Sequence, residues 1–132
     1  MRPRSKIAQD RMTNKILIAD DNSIIRKTLC RILKAQQDCD LCAEAENGEQ
    51  AIALAIKHRP DLVILDLAMP VMNGINAARE IRQALPGVRI ILFTEYPAIA
   101  TGPAYLDLPV DRVVSKNDGF SLLGHIRSMI SA

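Results

Sequence analysis

Leu62-Val63-Ile64-Leu65 is an unbroken apolar run that stops on a carboxylate, Asp66. A run so short and so rich in β-favouring residues reads as a strand covered on both faces, the situation of a parallel sheet. A charge at the end of such a strand costs stability unless it is hydrated, paired or bound to a metal. Pro70 and the Asn73-Gly74 pair turn the chain directly afterwards. Asp66 is therefore the expected centre of a site, with the rest of the chain as its frame.

The pattern recurs along the sequence. Lys15–Ala19 runs into Asp20-Asp21, Arg89–Phe93 into Thr94, and Arg112–Ser115 into Lys116, while Leu41–Ala45 is a weaker strand. Helical spacing fills the gaps. Asn22-Ser23 offers a cap to a helix with Ile24, Ile25, Thr28, Leu29, Ile32 and Leu33 on one side. Asn47 and Gln50 open a second helix in a capping-box-like pattern; its apolar positions are Ala51, Ile52, Leu54, Ala55 and Ile56, and it stops before Pro60. Asn73 caps a third that runs to about Ala84 and is ended by Leu85-Pro86-Gly87. Asp118 or Ser121 caps a last one, with Leu122, Ile126, Met129 and Ile130 inward. Pro97, Gly102-Pro103 and Pro109 leave room only for a short or broken fourth helix before the fifth strand. Strands alternating with helices predict an α/β domain: a doubly wound five-stranded parallel sheet, order 2-1-3-4-5, flavodoxin-like.

With 132 residues, 48% hydrophobic and 24% charged, the chain is one globular domain. Its net charge of +2 is unevenly spread. Residues 1–14 carry Arg2, Arg4, Lys6 and Arg11 against Asp10, a net of +3, which leaves −1 for the remaining 118. Residues 1–14 are expected to be a flexible basic tail, and 15–132 the domain. A nearly neutral body with no Trp, two Tyr and two Phe is a poor nucleic-acid binder. No apolar run is long enough for a membrane span and none resembles a signal peptide, so a cytoplasmic protein is expected. Cys39-Asp-Leu-Cys42 has the spacing of half a zinc site or a redox pair, but no second Cys or His pair matches it. Reduced thiols are expected, with Cys30 on a helix face and Cys42 inside a strand.

In an open parallel sheet, ligands bind beyond the carboxyl ends of the strands, where strands one and three lie side by side. Asp20, Asp21, Asp66, Thr94 and Lys116 all fall at that edge. Three carboxylates together need a proton or a cation, and a hard ion such as Mg²⁺ suits them. An anionic phosphoryl group can then approach, met by the ammonium of Lys116 and the hydroxyl of Thr94. The chemistry this points to is in-line transfer of a phosphoryl group onto Asp66. A flavin-binding protein of the same topology would need a Ser/Thr/Gly-rich loop where Asp20-Asp21 stand.

At these residues the chain resembles the response-regulator receiver domains of two-component signalling. The likeness covers about residues 15–131: the acidic pair, the D-L-A-M-P-V-M-N-G run of Asp66–Gly74, Thr94 and Lys116. Ala43–Ala51 looks most like receivers that carry a helix-turn-helix output domain. The resemblance implies a (βα)5 fold and a phosphoacceptor signalling domain, rather than an enzyme with its own substrate. It implies Asp66 as phosphoacceptor, Mg²⁺ held by Asp20, Asp21, Asp66 and the Ala68 backbone carbonyl, and Thr94 and Lys116 as readers of the phosphoryl group. The implied donor is a phosphohistidine on a sensor histidine kinase or histidine phosphotransfer protein. The implied consequence is altered binding of a downstream effector or missing output domain, or self-association as a homodimer.

Three positions depart from the family. Val113 stands where receivers usually carry a switch Tyr or Phe; Tyr96 and Tyr105 are the rings available to substitute. Glu95 replaces a small residue, its carboxylate either at the rim of the phosphate site or turned to water. Asn117 replaces the usual proline after the lysine. The phosphate-accepting half looks intact and the output half rebuilt. A second reading follows: an adaptor of receiver fold that docks a partner whatever its phosphorylation state.

Overall fold

The computed structural model describes residues 13–100 and 107–130. Five strands, β1 (Asn14–Ala19), β2 (Cys39–Ala45), β3 (Leu62–Leu65), β4 (Arg89–Thr94) and β5 (Arg112–Ser115), form one sheet in the order β2-β1-β3-β4-β5. Every neighbouring pair is parallel. The helices are α1 (Ser23–Lys34), α2 (Gly48–His58), α3 (Gly74–Ala84) and α4 (Gly119–Ile130). Between β4 and β5 the chain opens with a 3-10 turn at Pro97–Ala100, where a short or broken helix was expected. The expected tail lies outside the described residues except for its last two positions; Asn14 already belongs to β1. Among the described residues no helix is long and apolar enough to cross a membrane.

Side chains alternate across the sheet and divide the core into two layers. Ile16, Ile18, Ile64, Ile91 and Phe93 pack with Leu29 and Leu33 of α1 and Leu122, Ile126 and Met129 of α4. On the other face, Leu17, Val63, Leu65, Ile90 and Leu92 pack against α2 and α3. Those two helices bury mainly alanines, Ala51 and Ala55 on one and Ala77 and Ala78 on the other, so their backbones lie close to the sheet.

The caps of the first three helices agree with the sequence. Asn22, Asn47 and Asn73 each accept from backbone amides of the first turn. Gln50 reaches back to the Glu46 amide at 2.8 Å, the second half of the capping box shifted by one residue. The last helix departs from expectation. A 3-10 turn, Lys116–Asp118, runs directly into α4; Ser115 caps that turn, and Ser121 donates to the Asp118 carbonyl instead of capping.

Other expectations need correcting. On α1, Ile24 is 76% exposed and Ile32 40%, and on α2 Ile56 is 49% exposed. The apolar arc of α1 is wider than the stripe the sheet can cover, which is centred on Leu29 and Leu33. Strand β2 starts at Cys39, two residues early, and carries a bulge. Its register passes from Leu41 opposite Ile16 to Ala43 opposite Leu17, leaving Cys42 unpaired. Cys39 packs in one layer and Cys42 against the other, so their side chains face opposite sides of the sheet and the C-x-x-C spacing does not bring them together. All three thiols are free, and burial, with Glu44 nearby, pushes Cys30 up to about 11.

Gly74 closes the loop after β3. A side chain there would overlap the Asp66 carbonyl, and the Gly74 amide donates to the Leu67 carbonyl at 2.8 Å. Within the same loop Val71 sits at φ 71°, a conformation in which a β-branched residue is strained. Val71 is 72% exposed, so burial of its side chain recovers little of that cost. Val71→Gly is expected to raise stability by about 1 kcal/mol in urea denaturation, since relief of left-handed strain outweighs the glycine's extra unfolded-state entropy. A variant of equal or lower stability contradicts the strain.

Candidate phosphoacceptor and metal site

The sheet register sets the geometry of the carboxyl-end edge. Ala19 pairs with Leu65, Leu65 with Leu92, and Thr94 with Ser115, so Asp20, Asp66, Thr94 and Lys116 emerge together. The ladder extends one residue into the site: Asp66 N–H donates to the Ala19 carbonyl at 2.9 Å, and Asp20 N–H to the Ala45 carbonyl at 3.0 Å. Lys116 then crosses from β5 to both acids. Its Nζ lies 2.8 Å from Asp20 Oδ2 and 3.2 Å from Asp66 Oδ1.

All these groups except Asp21 are shielded from water. Asp20 is 2% exposed, Asp66 6% and Thr94 0%, and the Lys116 side chain 9%. Burial, then the charge of Asp20, pushes Asp66 up to about 6 against the pull of Lys116. Burial acts to lower the pKa of Lys116, but its hydrogen bond to Asp20 and the charge of Asp66 win, and the net shift is upward. Lys116 is a cation, and Asp66 is a carboxylate whose ionisation is opposed.

Carboxylate oxygens of Asp20, Asp21 and Asp66 all lie within 4.8 Å of one another. Three acids against one ammonium leave an excess of negative charge, and oxygen-only donors fit Mg²⁺. Asp21 is exposed and makes no hydrogen bond or ion pair among the described residues, so its oxygens are available to a metal. The Ala68 carbonyl likewise accepts no hydrogen bond among them.

Thr94 is at the edge but engaged locally: its Oγ1 accepts from Tyr96 N–H at 2.9 Å, which leaves the hydroxyl proton free to be donated. Glu95 is exposed and unpaired among the described residues. Val113 is half-buried and packs against the layer that holds α2 and α3. Tyr96 is 58% exposed, and Tyr105 lies outside the described residues. Asn117 donates its N–H to Ser115 Oγ at 3.1 Å, a hydrogen bond proline lacks the N–H to make. Sequence reasoning missed Arg26, which reaches the Asp20 carbonyl from α1. No motif marks it, because its partner is a backbone atom.

A doubly wound parallel sheet with an acid cluster and a bridging lysine at its switch point defines the CheY-like class of the flavodoxin fold. The chain belongs to the response regulator receiver domain family, whose model matches residues 16–127. It is 32% identical to the response regulator VraR of Staphylococcus aureus over 105 residues, 80% of this chain and 50% of that protein. A LuxR-family two-component response regulator from Aurantimonas sp. superposes with a TM-score of 0.82 at 29% identity, covering 90% of this chain and 86% of that one. TrrA of Thermotoga maritima, solved with Mg²⁺ and beryllofluoride, gives 0.75 at 32% identity, covering 89% and 99%. The chain spans between 19% and 50% of the length of the first three curated relatives it matches. It is thus a receiver domain of the two-component response regulator family.

In metal-free solution, folded Asp66 ionises at about 6 and the unfolded residue at about 3.9. Between those values the folded state holds the extra proton, so stability falls as pH rises through the window and levels off above it. We expect a loss of about 2 kcal/mol between pH 4 and 6.5 in EDTA that Asp66→Asn removes. Identical pH profiles for the two proteins contradict the shifted carboxyl.

Proposed function

We propose that Asp66 accepts a phosphoryl group from a phosphohistidine on a sensor histidine kinase or phosphotransfer protein, in the cytoplasm, and that the phosphorylated domain changes its partner or self-association. The reading is carried by one observation, the single ammonium of Lys116 shared between the buried carboxylates of Asp20 and Asp66. A carboxylate oxygen of Asp66 attacks phosphorus in line, an acyl-phosphate bond forms, and the phosphorus–nitrogen bond breaks with its electron pair retained by the imidazole. Asp20, Asp21, Asp66 and the Ala68 carbonyl would hold Mg²⁺. Bound there, it supplies the positive charge that offsets the phosphoryl oxygens. Lys116 exchanges a carboxylate partner for a phosphoryl oxygen, and Thr94 turns its free hydroxyl proton toward another. The domain catalyses its own modification, and water acting on the acyl phosphate reverses it.

The donor's approach is supported by the surface beside Lys116. A groove of about 350 Å³ is lined by Ile24, Ile32, Phe93, Phe120, Lys116 and Asn117, with Phe120 fully exposed. Lys27, Arg31 and Lys34 lie exposed on α1, without ion-pair partners among the described residues. An apolar helix face flanked by acidic residues fits this surface.

With Mg²⁺ and acetyl phosphate, mass spectrometry is expected to find one added phosphate on the wild type and none on Asp66→Asn; labelling that survives the substitution rules Asp66 out. Phe120→Ser is expected to slow labelling by a cognate kinase about tenfold while leaving acetyl phosphate labelling unchanged. Equal slowing in both assays removes the groove as the donor's dock.

A second reading is favoured by Val113, a half-buried aliphatic residue in the aromatic switch position. It makes the domain an adaptor that binds its downstream partner independently of phosphorylation. Equal partner affinity with and without beryllofluoride supports the adaptor, and a clear change supports the switch.

A further inference from the structure

We propose that Arg26 is a positioning residue for the metal-binding acid pair, holding the peptide that joins Asp20 to Asp21. The inference rests on the Mg²⁺-dependent phosphoacceptor function proposed above and assigns a role to a residue outside the acid cluster. Arg26 lies in the first turn of α1, and its side chain is only 12% exposed. Its Nη1 donates to the main-chain carbonyl of Asp20 at 2.6 Å, and its Nε to Glu44 Oε1 on β2 at 3.2 Å. The planar fork thus ties α1 to the ends of two adjacent strands.

The carbonyl it grips is half of the peptide plane whose other half is the Asp21 amide. Because that plane is rigid, the direction of the carbonyl sets ψ of Asp20 and φ of Asp21, and so where Asp21 projects its carboxylate. Asp20 is pinned at every other polar atom: its N–H by the Ala45 carbonyl, Oδ1 by the Asn22 amide at 2.8 Å, and Oδ2 by Lys116. The Asp21 side chain makes no hydrogen bond or ion pair among the described residues, so its aim depends on the backbone that carries it. The Asn22 amide bond to Asp20 Oδ1 holds the peptide that follows Asp21, and Arg26 holds the peptide that precedes it. Mg²⁺ tolerates little departure from octahedral geometry, and loss of such a supporting contact lowers metal affinity by about 10–100-fold.

Charge alone predicts the opposite sign. A guanidinium beside a cation site repels the cation, so deleting it should tighten binding. Lysine keeps the charge but has no rigid fork to span a carbonyl and a carboxylate.

The test is Mg²⁺ titration by calorimetry of the full 132-residue chain. Arg26→Met is expected to weaken binding about tenfold, and Arg26→Lys about threefold despite its retained charge. In EDTA, hydrogen exchange at the Asn22 amide is expected to accelerate in both variants while amides of β3 and β4 keep wild-type rates. Uniform acceleration means general destabilisation and overturns the positioning role. Unchanged or tighter Mg²⁺ binding by Arg26→Met also overturns it, while the phosphoacceptor function stands. If Arg26→Met does not fold, Arg26→Lys decides: wild-type affinity and exchange in that variant overturn the proposal. A wild-type chain that binds no Mg²⁺ takes down the proposed Mg²⁺-dependent phosphoacceptor function, and this inference with it.

Discussion

The structure is organised around an electrostatic conflict at the carboxyl edge of the sheet, where Asp20 and Asp66 are buried side by side with Asp21 close by. Lys116 relieves part of that conflict by sharing one ammonium between the two buried acids. A buried ion pair of this kind is weak evidence for stability, because desolvation offsets much of the attraction. The arrangement makes better sense as a resting state: one cation serves two anions, and one carboxyl is pushed toward neutrality. Added positive charge would complete the neutralisation. A sheet built only for stability would place aliphatic residues at these strand ends.

The surrounding backbone keeps the conflict from relaxing. Both buried acids extend the strand ladder by one hydrogen bond, which fixes the main chain that carries each carboxylate. The loop after Asp66 is folded back until Gly74 touches the Asp66 carbonyl, and Gly48 on α2 lies against the same loop, where a side chain would come within 2.5 Å of the Met72 carbonyl. Local choices thus conflict with generic stability while agreeing with one another. Such a combination is expected where sequence is retained for a site rather than for packing.

Most of this frame was legible in the sequence because it depends on period and on strand ends. Buried strands in a parallel sheet are short apolar runs, and the residue following each run falls at the ligand-binding edge. Asp20, Asp66, Thr94 and Lys116 could therefore be placed by counting. What escaped depends on contacts between distant backbone and side-chain atoms. The Cys42 bulge, the left-handed Val71 and the Arg26 grip on a carbonyl leave no periodic trace. The outward turn of Ile24 and Ile32 was missed for another reason. Helical spacing identifies an apolar face but does not give the width of the core that covers it, and α1 has more apolar surface than its contact with the sheet uses.

That excess surface bears on how the two halves of the domain divide their work. Around Lys116 the chain keeps the acid cluster and exposes apolar side chains, whereas Val113 on β5 is half-buried against the layer that holds α2 and α3. An aromatic ring can signal by moving between an inward and an outward position; a small aliphatic residue held in a core has no comparable second position. A change at Asp66 therefore has a direct route into Lys116 and the Asn117–Phe120 turn, since Lys116 belongs both to the site and to that groove. Its route through β4 runs by way of Thr94 and the Tyr96 amide that Thr94 now holds. Because Thr94 Oγ1 accepts from that amide, any movement of the Thr94 side chain bears directly on the backbone at Glu95-Tyr96, with no ring needed at position 113.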